Sequence, residues 1–380
     1  MSAPQHEWPD LIMLRRTSSR EGLPIHRMLQ RCGSPQAALR ADAAVWEEVC
    51  GFVPEPERLG VEARRRAEAA ARSLEELQAV VLDPRGSDYP GTLRFLPQPP
   101  SILFARGRLE LLTRPGIAVV GTRGASAYGR DAAAALTAGL VAVGYTIISG
   151  LARGIDSVAH RSALDLGGDT VAVLGTGLDV AYPPENRGMI DELAERGCVL
   201  SEFPPGTAPR KHHFPQRNRL IAGLARAVVV VEAGERSGAL ITAEHALEQG
   251  KEVFAVPGPI HHEGSQGTHR LIRDGAALVT CAADIVETMR GRTGEPLPLT
   301  SVPREGAGES TGPRPAANAS SLARAVWQEL DRGVSDADAL AEALGSDPAG
   351  LYSALLELEL SGLIERLPGP RYRRAVRQVS

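Results

Sequence analysis

The sequence predicts an α/β protein built on a doubly wound, mostly parallel sheet, with a small N-terminal helical domain and a C-terminal winged-helix domain. Three observations carry this prediction. From about Val80 to Arg290, short β-branched runs ("GIAVVG", "YTIISG", "TVAVLG", "CVLSEF", "AVVVVEA", "EVFAVPG", "AALVT") alternate with helical stretches of roughly 10–15 residues. Those runs are continuous and not alternating in their apolar residues, as in strands covered by helices on both faces. The chain then closes with "SLARAVWQELDRG", "SDADALAEALG" and "DPAGLYSALLELELSGLI", followed by "ERLPGPRYRR", which reads as helices and then a hairpin turning at Pro368-Gly369.

Residues 1–20 read as a loose N-terminal tail. Residues 21–79 read as a helical domain of helix-hairpin-helix or SAM type. In it, "PIHRMLQRCGSPQAALRA" gives two short amphipathic segments broken at Gly33-Ser34-Pro35, and Ser before Pro is a helix start. "VEARRRAEAAARSLEELQAV" continues as one Ala-rich helix. The sheet domain spans 80–290. Residues 291–320 hold five Pro and five Gly with almost no large apolar residue, the composition of a flexible linker. The winged helix spans 321–380.

The chain has 380 residues and a net charge of −4, so it is not a basic nucleic-acid coat, and any polyanion site must be a local patch. Its basic residues are nearly all Arg; Lys211 and Lys251 are the only lysines. The cysteines (Cys32, Cys50, Cys198, Cys281) form no CxxC pair, which fits a reducing compartment and argues against a zinc knuckle or a disulfide framework. "LIML" at 11–14 is too short for a secretory core, and no apolar run reaches membrane-spanning length. A soluble cytoplasmic protein is expected, with no membrane partner.

In a parallel sheet, ligands bind beyond the carboxyl ends of the strands. Those junctions read Gly121-Thr122-Arg123-Gly124-Ala125-Ser126, then Ser149-Gly150-Leu151-Ala152-Arg153-Gly154, Gly175-Thr176-Gly177 with Tyr182-Pro183, residues 203–219, and Gly234 to Gly238. Gly, Ser, Thr and Arg in all five suit anion binding by backbone N–H groups, hydroxyls and guanidinium groups. Their spread along one edge points to an extended anion. A dinucleotide fingerprint is not met: the glycines fall at 121, 124 and 129, and the second strand ends in Ser149-Gly150 without an acid. Neither lysine sits in a P-loop, and no GxSxG elbow exists. His212-His213 and His261-His262 lack metal-ligand spacing; Asp156 and His160 have it, but read as capping and packing at a helix start. No metal and no cofactor is expected.

Residues 201–226 carry Arg210, Lys211, Arg217, Arg219 and Arg226 against Glu202 alone, a local balance of +4. Phe203 and Phe214 are interleaved with them. Cations plus aromatic platforms are how single strands are held without sequence reading.

The blocks "VVGTRGASAYG", "SGLARGIDSVAH", "TVAVLGTGLDVAYPPEN", "LSEFPPGTAPRKHHFPQRNRLIAGLA", "VVVEAGERSGALITAEHALEQGKEVFAVPG" and "GTHRLIRDGA" together resemble the DprA (Smf) family of DNA-processing proteins. The likeness runs from about Asp83 to Met289, is weaker in the N-terminal helices, and resumes in the winged helix. It implies a Rossmann-like domain that binds incoming single-stranded DNA during natural transformation, shields it, and loads RecA recombinase onto it, with no reaction of its own. The DNA-binding residues it implies are Gly121, Arg123, Ser126, Ser149, Gly150, Lys211, Phe214, Asn218, Arg219, Ser237 and Gly238. It also implies a homodimer and RecA face at "GTHRLIRDGAALV", with contacts at His269, Ile272 and Leu278.

Two other readings compete. A nucleotide phosphoribohydrolase of similar fold would need a PGGxGTxxE motif; "RSGALITAEH" has no double Gly, and His245 stands where its Glu belongs, with Glu244 about 100° round the helix. A nucleotide sensor would want the missing ribose-binding acid. The winged helix departs from a DNA reader. Its third helix has no Lys or Arg and carries Asp347, Glu357 and Glu359, while Arg366, Arg371, Arg373, Arg374 and Arg377 lie in the wing and tail. It reads as an interaction domain.

Overall fold

The computed structural model describes residues 2–17, 25–293, 320–331, 337–361, 363–367 and 371–374. Contacts divide the chain into two units, 1–300 and 301–380.

The first unit opens with helices α1 (Trp8–Arg16), α2 (Ile25–Cys32), α3 (Pro35–Leu39), α4 (Ala43–Cys50), α5 (Pro56–Leu59) and α6 (Val61–Glu76). The tail expected over 1–20 is therefore corrected: α1 lies within it, and Trp8, Leu11, Ile12 and Leu14 are buried. Helical spacing of those apolar residues, with Pro9 in the first turn, explains the helix. "LIML" is too short to serve a membrane but long enough to fill a core stripe. The break read at Gly33-Ser34-Pro35 is present. The Ser34 hydroxyl accepts from the Ala37 N–H at 3.2 Å and starts α3. α6 buries Ala67, Ala70, Ala71 and Leu74, small side chains that let α1 pack closely against it.

Nine strands follow: β1 (Val80–Leu82), β2 (Leu103–Gly107), β3 (Gly116–Val120), β4 (Thr146–Ser149), β5 (Thr170–Leu174), β6 (Cys198–Ser201), β7 (Ala227–Val230), β8 (Glu252–Ala255) and β9 (Ala277–Leu278). They lie in the order β1-β2-β6-β5-β4-β3-β7-β8-β9. β3 to β9 are the seven apolar runs of the sequence, and all neighbours among them are parallel. β1 and β2 add an antiparallel margin against β6. Helices α7 (Ala127–Ala142), α8 (Ile155–Asp165), α9 (Arg187–Arg196), α10 (His213–Leu224), α11 (Gly238–Glu248) and α12 (Gln266–Arg273) make the crossovers, and α13 (Ala282–Thr293) follows the last strand. One face buries Ile117, Val119, Ile147 and Val229 against Leu136 and Leu140; the other buries Ala118, Val120, Val228 and Val230 against Leu220 and Leu240. Helices on both faces are why the central strands are buried along their length and carry apolar residues on both sides.

A third apolar cluster joins Trp8, Leu11, Leu14 and Leu74 to Val81, Phe104, Leu174 and Val199. The N-terminal helices thus share a core with the sheet instead of forming the self-contained domain expected over 21–79.

The second unit contains α14 (Ser321–Asp331), α15 (Ala337–Leu344), α16 (Pro348–Leu360) and the antiparallel pair β10 (Ile364–Leu367) and β11 (Arg371–Arg374). Ala323, Val326, Leu340, Leu351, Leu355, Leu358 and Tyr372 form its core. Asp347, one of the acids that set α16 apart from a DNA reader, caps that helix by accepting from Gly350 N–H at 3.2 Å. The expected linker beyond Thr293, the turn at Pro368-Gly369 and Arg377 lie outside the described residues. Among the described residues, no helix is long and apolar enough to cross a membrane.

Candidate functional site

β3 is flanked by β4 on one side and β7 on the other. The connections leaving β3 and β7 therefore part over the sheet edge and open a crevice, the usual ligand position of such folds. A cavity of about 860 Å³ lies there, lined by the turns after both strands, by α10 and by residues 209–211.

The β3 turn needs its first glycine. A Cβ on Gly121 would stand 2.5 Å from the Ile155 Cγ1 and 2.9 Å from the Glu232 carbonyl. Gly154, with φ of +76°, folds the next turn beneath it, and the Ile155 N–H donates to the Thr122 carbonyl at 3.3 Å.

α10 presents Phe214, Arg217, Asn218 and Ile221 to the cavity, the i, i+3, i+4, i+7 stripe of one helical face. Phe214 meets Tyr182 with centroids 5.4 Å apart, and the Arg123 guanidinium sits 5.0 Å from its ring centre. A small recess of about 40 Å³ behind them is lined by Gly150, Gly175 and Pro183. Asn218 donates from Nδ2 to the Gly238 carbonyl at 3.1 Å, which ties α10 to the start of α11. The Ser237 hydroxyl caps α11 by accepting from Ala239 N–H at 3.3 Å.

The lining carries Arg123, Arg210, Lys211, Arg217 and Arg236, against a single carboxylate, Asp156. Arg123, Arg210, Lys211 and Arg236 are exposed, and Arg217 and Asp156 form the buried floor. Arg217 donates from Nη1 to the carbonyls of Gly150, at 2.6 Å, and Val173. Burial pushes its pKa down to about 10, with Asp156 opposing, so it stays charged at neutral pH. Burial raises the pKa of Asp156; Arg217 and the N–H groups of Ala152 and Gly150 oppose that rise. His160, one turn along α8, is fully buried and hydrogen-bonded to Thr170 Oγ1 at 2.7 Å; burial and Arg217 push it down to about 3, so it is neutral. The Asp156/His160 pair is packed into the interior, but Asp156 accepts from the Gly150 and Ala152 N–H groups of the preceding turn and does not cap α8; no metal-ligating cluster exists among the described residues.

The structure places Gly121, Arg123, Lys211, Phe214, Asn218, Ser237 and Gly238 together on the cavity. Four expected residues lie elsewhere. Ser126 caps α7 and its N–H and hydroxyl both go to Glu232. Ser149 is fully buried, its hydroxyl donating to the Val119 carbonyl at 2.6 Å. Gly150 is covered by Arg217 and reaches only the small recess. Arg219 is turned about 100° from Asn218 and is buried against Glu202. Phe203 is also no platform: it is buried and stacked on His213 at 4.2 Å. The cavity also takes in Arg210 and Arg217 from the basic 201–226 segment, and Tyr182 and Arg236, none of which the family resemblance implied. The signal for Arg217 was its three-residue spacing from Phe214; Arg236 and Tyr182 stood in junctions already singled out.

His269, Ile272 and Leu278 line a second cavity of about 780 Å³ with Arg270 and Arg273, and Arg236 is on the lining of both cavities. His269 Nε2 lies 2.9 Å from the Gly258 carbonyl, and Leu278 is 50% exposed on the two-residue edge strand β9.

Residues 81–290 match the family described as DNA recombination-mediator protein A. The chain belongs to the DprA/Smf family. Residues 310–370 match the DprA winged helix domain. Protein Smf of Escherichia coli is 38% identical over 341 residues, 88% of either chain. The DNA processing protein DprA of Streptococcus pneumoniae is 49% identical over 198 residues, 52% of this chain and 70% of that one. An X-ray structure of DprA from Streptococcus pneumoniae superposes with a TM-score of 0.64 at 38% identity, covering 76% of this chain and 98% of that one. DNA processing protein A from Helicobacter pylori, whose structure is described for its single-stranded DNA binding mode, gives a TM-score of 0.52 at 30% identity over 57% and 97% of the two chains.

Proposed function

We propose that this DprA-family chain binds single-stranded DNA along the α10 groove and acts as a non-enzymatic recombination mediator that delivers the strand to RecA during natural transformation. The observation that carries this reading is the pairing of four exposed cations with the Phe214–Tyr182 aromatic wall on one sheet edge. Cations hold the phosphates and the wall offers a stacking surface that accepts any base. The single-stranded DNA binding ascribed to the Helicobacter pylori relative supports the same choice. The second cavity is the proposed face for homodimer formation and RecA contact, through His269, Ile272 and Leu278. Cytoplasmic residence fits four cysteines that are all free.

Titration of poly-dT across a salt series tests the reading. Four phosphate contacts predict a log K against log salt slope of about −3; a salt-independent affinity would reject it. Incubation with AMP should release no adenine. Thr242 lines the cavity, but Glu244 is exposed and outside the lining, so the hydrolase reading lacks its acid.

A further inference from the structure

In dinucleotide-binding folds, the start of the helix after the first strand of the switch point holds a phosphate. That position here is the start of α7, and it is filled from within the chain. Glu232, two residues past the end of β7, is 3% exposed. Its Oε2 accepts from the Ser126 N–H at 3.0 Å and from the Ser126 hydroxyl at 3.2 Å. On the other side, His262 Nδ1 stands 3.4 Å from Oε1.

The surroundings are shaped around this carboxylate. A Cβ on Gly129 would overlap Oε2, and one on Gly264 would overlap Oε1. Backbone bonds fix the segment, since Thr122 N–H donates to the Glu232 carbonyl and Ala233 N–H to the Gly264 carbonyl, each at 2.7 Å. The side chain is therefore held at the helix start. A buried carboxylate needs such compensation, and the N–H donor, the hydroxyl and the helix dipole supply it.

We infer that Glu232 is a resident anion that occupies the phosphate position at the start of α7 and thereby bars small nucleotide phosphates from it. The DNA-facing cations lie on the neighbouring cavity, whose lining does not include Glu232. A polyanion can engage that cavity, while a free nucleotide loses its main anchor. Glu232 acts as a specificity-determining residue by exclusion.

The test is anion rescue. Glu232→Ala removes four heavy atoms, the size of acetate and close to that of phosphate. Melting temperatures of wild type, E232A and E232Q are compared in acetate, phosphate and pyrophosphate against chloride at equal ionic strength. The wild-type response measures the groove alone. E232A should show an additional, saturable rise. E232Q keeps the volume without the charge; it should melt several degrees below wild type and show no additional rise. If E232A folds only poorly, its refolding yield with and without acetate replaces the melting curve. An E232A response no larger than wild type, a refolding yield indifferent to acetate, or an E232Q that melts as high as wild type would each overturn the assignment.

Discussion

Arg219 and Glu202 form a buried ion pair, Nη2 to Oε2 at 2.5 Å, one helical position from the residues that line the groove. Arg15 of α1 approaches the same carboxylate at 3.9 Å. Arg219 therefore joins α10 to the end of β6 and faces away from any ligand. Arg219→Ala leaves Glu202 buried and poorly paired, so it should cost about 3–5 kcal/mol of stability in urea unfolding. The affinity of the folded fraction for a dT oligonucleotide should stay within about twofold, less than 0.5 kcal/mol. Lost affinity with intact stability would return Arg219 to the groove.

Charge and stacking can be separated at α10. Lys211 is exposed on the groove, and Lys211→Ala should make the salt slope shallower by about 0.7, the share of one phosphate contact. Phe214→Ala should weaken binding by about 1–3 kcal/mol with the slope unchanged, because stacking releases no counterions. Fluorescence anisotropy across a salt series reads both. A flatter slope for the Phe variant would contradict the stacking role.

His160 sets an acid limb on stability. Its folded pKa near 3 lies below its ordinary 6.5, so the unfolded chain takes up a proton first as pH falls. Its neutral form serves the fold fully above about pH 6.5, and stability is lost from there down to about pH 3, at about 1.4 kcal/mol per pH unit. Between pH 7 and pH 5, His160→Leu should lose about 2 kcal/mol less than wild type in urea unfolding. Parallel pH profiles would show that His160 is not the group responsible.

Arg236 lines both cavities, whereas Leu278 lines the second alone. Leu278→Asp should weaken self-association by tenfold or more, given about 1.5–3 kcal/mol for a buried leucine, and leave the DNA affinity of a single groove unchanged. Arg236→Ala should weaken both self-association and DNA binding. Sedimentation equilibrium and anisotropy give the two readouts. A Leu278 variant that still self-associates like wild type would move the dimer face elsewhere.

The strands were legible because helices cover both faces of the sheet, which makes their apolar residues consecutive instead of alternating. β1 and β2 were less visible: they stand outside the strand–helix alternation and pair antiparallel at one margin. α1 was missed because its nine residues were weighed for membrane length and not for helical spacing. At the site, Gly121 and Arg123 of the turn after β3, and Ser237 and Gly238 of the turn after β7, reach the cavity. Orientation decides where the others lie. Asn218 and Arg219 are adjacent, yet a single helical step sends one to the cavity and the other into the core. Ser126 and Ser149 carry the right group for an anion, but Glu232 and the Val119 carbonyl already engage them.

The core shared by α1, α6 and the sheet limits how the molecule can be cut. Trp8 and Leu74 cover Val81, Phe104 and Val199. A version trimmed to begin at the first strand would bare that greasy tract and be prone to clump. The winged helix has a hydrophobic interior of its own, whereas the leading helices share theirs with the sheet.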